Sequence, residues 1–229
     1  DLSISLAEGL DLSAGGRFGI LGRLEEINSR QRWKFKRIDL QGLFIDAKIK
    51  DAVRVKGALQ WFNEHDVYGT GFQGNLMADF LKVDISAAVA GQFGRFDGSK
   101  YFFVDAMVDL ASGIRLGPLN INGFAGGVSY QMNYTPLNSP NFQSGSQWTN
   151  LPPLGEGVSG TLYKPDPTLG LGLKATVMLA TEKKEVFNGW AGLEFLFNNR
   201  QQGGGLNKIS IKGQGQFMAV TLPQPPAFF

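Results

Sequence analysis

At 229 residues the chain is long enough to bury a substantial core, yet only 18% of it is charged, against roughly 25% in an average soluble domain, and its 31 glycines are about twice the usual share. That balance argues against a helical enzyme and suits extended sheets, barrels or strand repeats. A net charge of +2 with both signs interspersed gives no broad field for nucleic acid, and the absence of cysteine removes disulfides and thiolate metal sites.

The chain opens on Asp1 rather than Met, which leads us to expect a processed product or a fragment of a longer polypeptide. The first distinctive stretch is RQRWKFKR, Arg30 to Arg37, the one local basic cluster. It is read as the exposed face of a strand. The alternative is a contact made by Arg30, Arg32, Lys34, Lys36 and Arg37 with anionic headgroups or a polyanion, Trp33 and Phe35 being apolar anchors. Here Trp33 and Phe35 lie in odd phase but Ile38 and Leu40 in even phase, so the apolar set changes sides near Arg37 and again near Gly42. Bulges at those two places are expected.

Residues 43–61 alternate Leu43, Ile45, Ala47 and Ile49, then Val53, Val55, Leu59 and Trp61, with charged residues between them, and predict a hairpin folded about Lys50 and Asp51. FNEHD (62–66), FDGSK (96–100) and TEKKE (181–185) read as further turns, so successive strands pair as a meander. Residues 67–81 place Tyr68, Phe72, Leu76 and Phe80 on one side. Residues 82–96 and 101–110 form the next pair, and 122–134 sets Phe124, Gly126, Val128, Tyr130, Met132 and Tyr134 on one face.

Residues 136–168 lose all periodicity, and a stretch of that length is read as an excursion over or beside the sheet, docked by Trp148, Leu151, Leu154 and Tyr163. Three further strands follow at 169–181, 186–197 and 208–220, and the prolines of LPQPPAFF cannot continue a central strand. NGFAGG (122–127) and NGWAGL (188–193) echo each other. Glycines beside aromatics let rings lie over neighbouring backbone and let a sheet bend.

Chemistry is harder to find. His65, the single histidine, sits in an expected turn and reads as solvated; Asp105 and Asp109, about 13 Å apart along an ideal strand, are too far apart for a paired acid and base and read as a water-facing polar side. Asp79 and Asp84 lack a calcium-loop pattern, and GGVSY and RQQGGGLN lack the lysine and helix of a phosphate loop. No catalytic, metal or cofactor-binding residue is assigned, and no cofactor is expected. No apolar run approaches the roughly 18 residues of a membrane-spanning helix.

The segment YFFVDAMVDLASGIRLGPLNINGFAGGVSYQMNY resembles a pattern in β-rich regions of very large, uncharacterised bacterial envelope and surface proteins, carried here by Phe102, Phe103, Gly117, Pro118, Gly123, Gly126, Gly127 and Tyr130. What the resemblance implies is a long-strand sheet of the texture found in envelope and lipid-transfer proteins, with no catalytic residues to carry over.

The expectation is therefore an all-β protein: long antiparallel meander strands, roughly ten to fourteen, forming a curved sheet or flattened barrel in one domain over residues 1–229. Its aromatic side is expected to face inward, with Tyr68, Phe72, Phe80, Phe124 and Tyr130 lining an apolar groove. The function expected is a non-catalytic structural or binding module of an extracytoplasmic assembly, in the cell envelope, on the surface or secreted. Partners would be other segments of the same chain or neighbouring subunits by strand pairing, and a lipid or membrane surface, but not nucleic acid. The alternative is an outer-membrane β-barrel, weakened by charges in both phases and by Ala and Gly at positions that would face lipid.

Overall fold

A computed structural model describes residues 2–3, 10–27, 30–136, 153–183 and 186–218. Trp148, Leu151 and the LPQPPAFF tail lie outside the described residues. The architecture is all-β, with β1 Leu2–Ser3, β2 Leu10–Ile27, β3 Arg30–Ile49, β4 Val53–His65, β5 Gly69–Phe80, β6 Ile85–Phe96, β7 Ser99–Leu116, β8 Leu119–Tyr130, β9 Met132–Pro136, β10 Thr161–Pro165, β11 Leu169–Ala180, β12 Phe187–Asn198 and β13 Leu206–Phe217. Eleven of these form one antiparallel sheet in the order β1 to β8, then β11, β12 and β13, while β9 and β10 form a separate two-stranded sheet. Among the described residues the sheet is open, so of the two expected forms the closed one is not adopted.

Turn chemistry sets the meander. Asp97 and Gly98 both take positive φ (46° and 77°), the conformation a two-residue hairpin turn needs to match strand twist. Lys50 does the same at the β3–β4 turn. The β4–β5 connection falls later than expected: β4 continues to His65, and the turn is Asp66–Tyr68. There the His65 Nδ1 accepts hydrogen bonds from the backbone N–H groups of Val67 (3.1 Å) and Tyr68 (3.3 Å), a local structural role.

The two phase changes in β3 are bulges. Arg17 pairs with Gly42 and Phe18 with Leu40, leaving Gln41 over; Leu21 pairs with Arg37 and Gly22 with Phe35, leaving Lys36 over. Each extra residue reverses the alternation.

The long strand expected over 122–134 does not run through. At Gln131, φ is +52°, and the chain leaves the sheet. Met132 and Tyr134 therefore depart from the face that carries Phe124 and Tyr130, and with β10 and residues 153–160 they build a strap over the sheet.

The core lies between strap and sheet. Tyr68, Ala90, Tyr101, Phe103, Met132 and Tyr163 form one buried cluster, with Leu154 packed against it, and Met107, Ala125 and Met178 form a second. The excursion thus docks through Tyr163 and Leu154 as expected. The rings of Trp33 and Phe44 fill the space that a Cβ would need at Gly22 and Gly15, as expected of glycines set beside aromatics.

Candidate functional site

The sheet's two faces are unlike in a way that reverses the expectation. Alternate residues from Trp61 to Val53 on β4, Phe72 to Phe80 on β5, Phe93 to Ile85 on β6, Phe102 to Leu110 on β7 and Tyr130 to Phe124 on β8 are all hydrophobic or Gly. Strand register aligns them in rows across the sheet. This face is the bare one: Phe72 is 40% exposed, Leu76 45% and Phe124 44%. The intervening set, which includes Gln73, Gln92, Asp105 and Ser129, is the buried one. An aromatic side turned inward is therefore corrected. The strap, which is held by hydrogen bonds and ring contacts, covers the mixed face instead, where Tyr101, Phe103, Met107 and Met178 are buried beside these polar groups.

One edge of the bare face is a row of rings, Trp61, Phe72, Phe93, Phe102 and Tyr130, in register on five successive strands. Phe72 stacks on Phe93 at 5.2 Å, Phe93 on Phe102 at 5.8 Å and Phe102 on Tyr130 at 6.1 Å between centroids. The next row outward is Thr70, Arg95 and Lys100, so the band ends where charge begins. From Phe72 to Phe80 it spans eight residue steps, about 27 Å along the strand.

Of the expected apolar-face residues, the structure brings Phe72, Phe80, Phe124 and Tyr130 together on this bare face but not Tyr68. Tyr68 lies in the turn before β5 and is buried under the strap, its hydroxyl donating to the Tyr163 carbonyl at 2.9 Å. The basic residues Arg30, Arg32, Lys34 and Lys36, with Trp33, lie exposed on β3. Arg37 is also on β3, paired with Leu21.

Beneath the strap lies a cluster that the sequence reading missed. Asp105 is fully buried rather than water-facing. Its Oδ1 accepts from the Ser159 N–H at 2.8 Å; its Oδ2 accepts from the Ser159 hydroxyl and the Tyr163 hydroxyl, both at 2.7 Å. The Lys174 ammonium lies 3.4 Å from the same oxygen and also donates to Ser159 Oγ (2.5 Å) and Thr161 Oγ1. A second fastening joins the tip of the strap: the Gly155 N–H donates to the side-chain oxygens of Gln73 (3.0 Å) and Gln92 (2.6 Å), and Gln73 donates to the Pro153 carbonyl at 3.1 Å. Tyr163 lies flat on Phe103 at 4.3 Å, with the planes 8° apart. Burial, and then the neighbouring Asp105 charge, push the Tyr163 phenol well above its ordinary pKa.

A serine beside a lysine has the elements of nucleophilic catalysis. Here Ser159 is wholly enclosed and its hydroxyl is committed to Asp105, so this arrangement fastens the strap. Among the described residues no group of three His, Cys, Asp or Glu is placed to hold a metal, and no helix is long and apolar enough to cross a membrane. Asp79 accepts from Ser86 at 2.8 Å. No family model, curated protein or solved structure matches the chain.

Proposed function

We propose that the chain is a non-catalytic wall segment of a cell-envelope structure, with its apolar face set against lipid hydrocarbon and its polar face closed by its own strap. The observation that carries this is the pairing of an uninterrupted, bare apolar band with an opposite face whose core and Asp105–Lys174 ion pair are already buried by the strap. In water such a band has a large unfavourable hydration cost, of order 25 cal/mol for each Å² left exposed.

Of the two situations left open by the sequence, the outer-membrane type of wall draws the greater support. A stacked aromatic row at one rim with charged positions beyond it has the layout of an interfacial girdle. With the 35–45° tilt usual for such strands, 27 Å of strand gives a band roughly 20 Å tall, close to the roughly 25 Å of outer-membrane barrels. In β3 the bulges leave the charged residues Arg32, Lys34, Asp46 and Lys48 on one face, opposite Trp33, Phe35, Leu43 and Ile45. Because the sheet is open, its completing strands come from elsewhere in a larger chain or from a neighbouring subunit, in keeping with the resemblance to very large envelope proteins.

A soluble lipid carrier is the second reading. It is favoured by an apolar depression of about 390 Å³ lined by Leu43, Ile45, Gly57, Leu59 and Leu76. Purification decides between them. The wall requires detergent or bilayer to remain monodisperse and migrates in a heat-modifiable way on detergent gels. Monodisperse behaviour in buffer alone, with co-purifying lipid, makes it a carrier; the same behaviour without lipid or any affinity for vesicles refutes a lipid-facing role.

A further inference from the structure

We infer that the β2–β3 ribbon, residues 17–27 and 30–41, is a contact for anionic lipid headgroups at the rim of the apolar band. β4 pairs with β3 only from Gly42 to Ile49, while β2 and β3 go on pairing as far as Ile27 and Arg30. Beyond Gly42 the ribbon is thus two-stranded, and an isolated two-stranded ribbon is marginal in water. It leaves the sheet on the side of the aromatic row, since Leu43 pairs with Leu59, one row short of Trp61.

The ribbon holds seven basic residues against three acidic ones, Glu25, Glu26 and Asp39, a net of +4, while the whole chain is only +2. Its net charge therefore exceeds that of the whole protein, and the remainder is −2. Glu25 pairs with Arg23 and Lys34; among the described residues Arg17, Arg32 and Lys36 form no ion pair. One face bears Phe18, Ile20, Leu24, Trp33 and Phe35, each more than half exposed. Trp33 is held against the backbone of Gly22, which lowers the entropy cost of presenting it. Two strands are only about 10 Å wide. A ribbon lying with this face among acyl chains lets its basic side chains reach around both edges to the phosphates.

This inference rests on the lipid-facing reading, yet its test separates the two. The full chain is floated with vesicles of phosphatidylcholine alone or with about 30 mol% phosphatidylglycerol, at low and high salt. Wild type is expected to prefer the anionic vesicles and to lose that preference in high salt. The variant Arg30→Gln/Arg32→Gln/Lys34→Gln/Lys36→Gln should lose about tenfold or more on anionic vesicles and nothing on neutral ones, since each basic residue near such a surface contributes about fivefold. The milder Arg32→Gln/Lys36→Gln serves if the first variant fails to fold. Equal binding of variant and wild type to anionic vesicles overturns the inference. So does heparin binding without quenching of Trp33 by brominated lipid, compared against Trp33→Phe, which assigns the ribbon to a soluble polyanion. Loss of neutral-vesicle binding with the charge effect intact refutes only the lipid-facing wall.

Discussion

Asp105 on β7 and Lys174 on β11 lie in one register row with only Gly127 of β8 between them, and their charged groups meet 3.4 Å apart across that glycine. A Cβ at Gly127 would lie 2.6 Å from the Tyr163 hydroxyl and 3.3 Å from Asp105 Oδ2. The glycine makes room for the ion pair, and the ion pair holds the strap.

Removing one partner of this pair strands the other charge in a buried site. Asp105→Ala or Lys174→Met alone is expected to cost about 3–5 kcal/mol, whereas the double variant recovers much of that loss. Denaturant titration of the four proteins checks it. Additive losses would mean that the two charges do not act together.

Gly127→Ala tests the same relationship sterically. The methyl group needs the space of the Tyr163 hydroxyl, and overpacking of this kind costs about 1–3 kcal/mol. Combining it with Tyr163→Phe, which frees that space, should restore part of the loss. An Ala substitution with unchanged stability would show that the glycine is not required for the close approach.

The strap should loosen in alkali. Burial pushes the Tyr68 phenol up to about 12, with Glu156 adding to the shift, and burial followed by Glu194 does the same for Tyr134. Burial, and then the Asp105 charge, also raise Tyr163 well above its ordinary value. A folded-state pKa above the unfolded value of about 10 leaves stability intact below pH 10. Stability then falls between pH 10 and 12, by up to about 1.4 kcal/mol per pH unit for each such tyrosine. Denaturant midpoints across pH 8–12 and phenolate absorbance report it. A flat profile over pH 10–12 would show these phenols to be unshifted.

Much of the sheet was legible in the sequence because period-two alternation is a direct record of two faces. The β3 bulges were legible too, since a change of phase between Phe35, Ile38 and Leu43 leaves no other economical path. Which face is covered was not legible. The cover is a strap fixed in part through its own backbone, at Gly155 and Ser159, and a backbone donor has no signature in the sequence. Asp105 looked solvated for the same reason: its partners Ser159, Tyr163 and Lys174 are 54 to 69 residues away. The break at Gln131 was missed because glutamine seldom takes positive φ. NGFAGG and NGWAGL, alike in sequence, flank β11 with Phe124 on the bare face and Trp190 on the other.

If hydrocarbon covers the band, the cost of a charge should depend on depth. Single arginines at Phe102, Val104, Ala106, Val108 and Leu110, all on the bare side of β7, are expected to be worst at Ala106, by about 2–4 kcal/mol, and mild at the ends. Folding equilibria in bilayers give the profile. Uniformly small costs would indicate that water covers this face.

The absence of cysteine allows the most direct measurement, spin labels at single introduced cysteines along β5 from Phe72 to Phe80, in the bilayer-reconstituted protein. Labels at Phe72, Leu76, Ala78 and Phe80 should be open to oxygen, which concentrates in hydrocarbon, and closed to a water-soluble nickel complex, while labels at Gln73, Asn75 and Met77 are closed to both. Strong nickel contact at Leu76 and Ala78 would contradict an apolar face set against lipid.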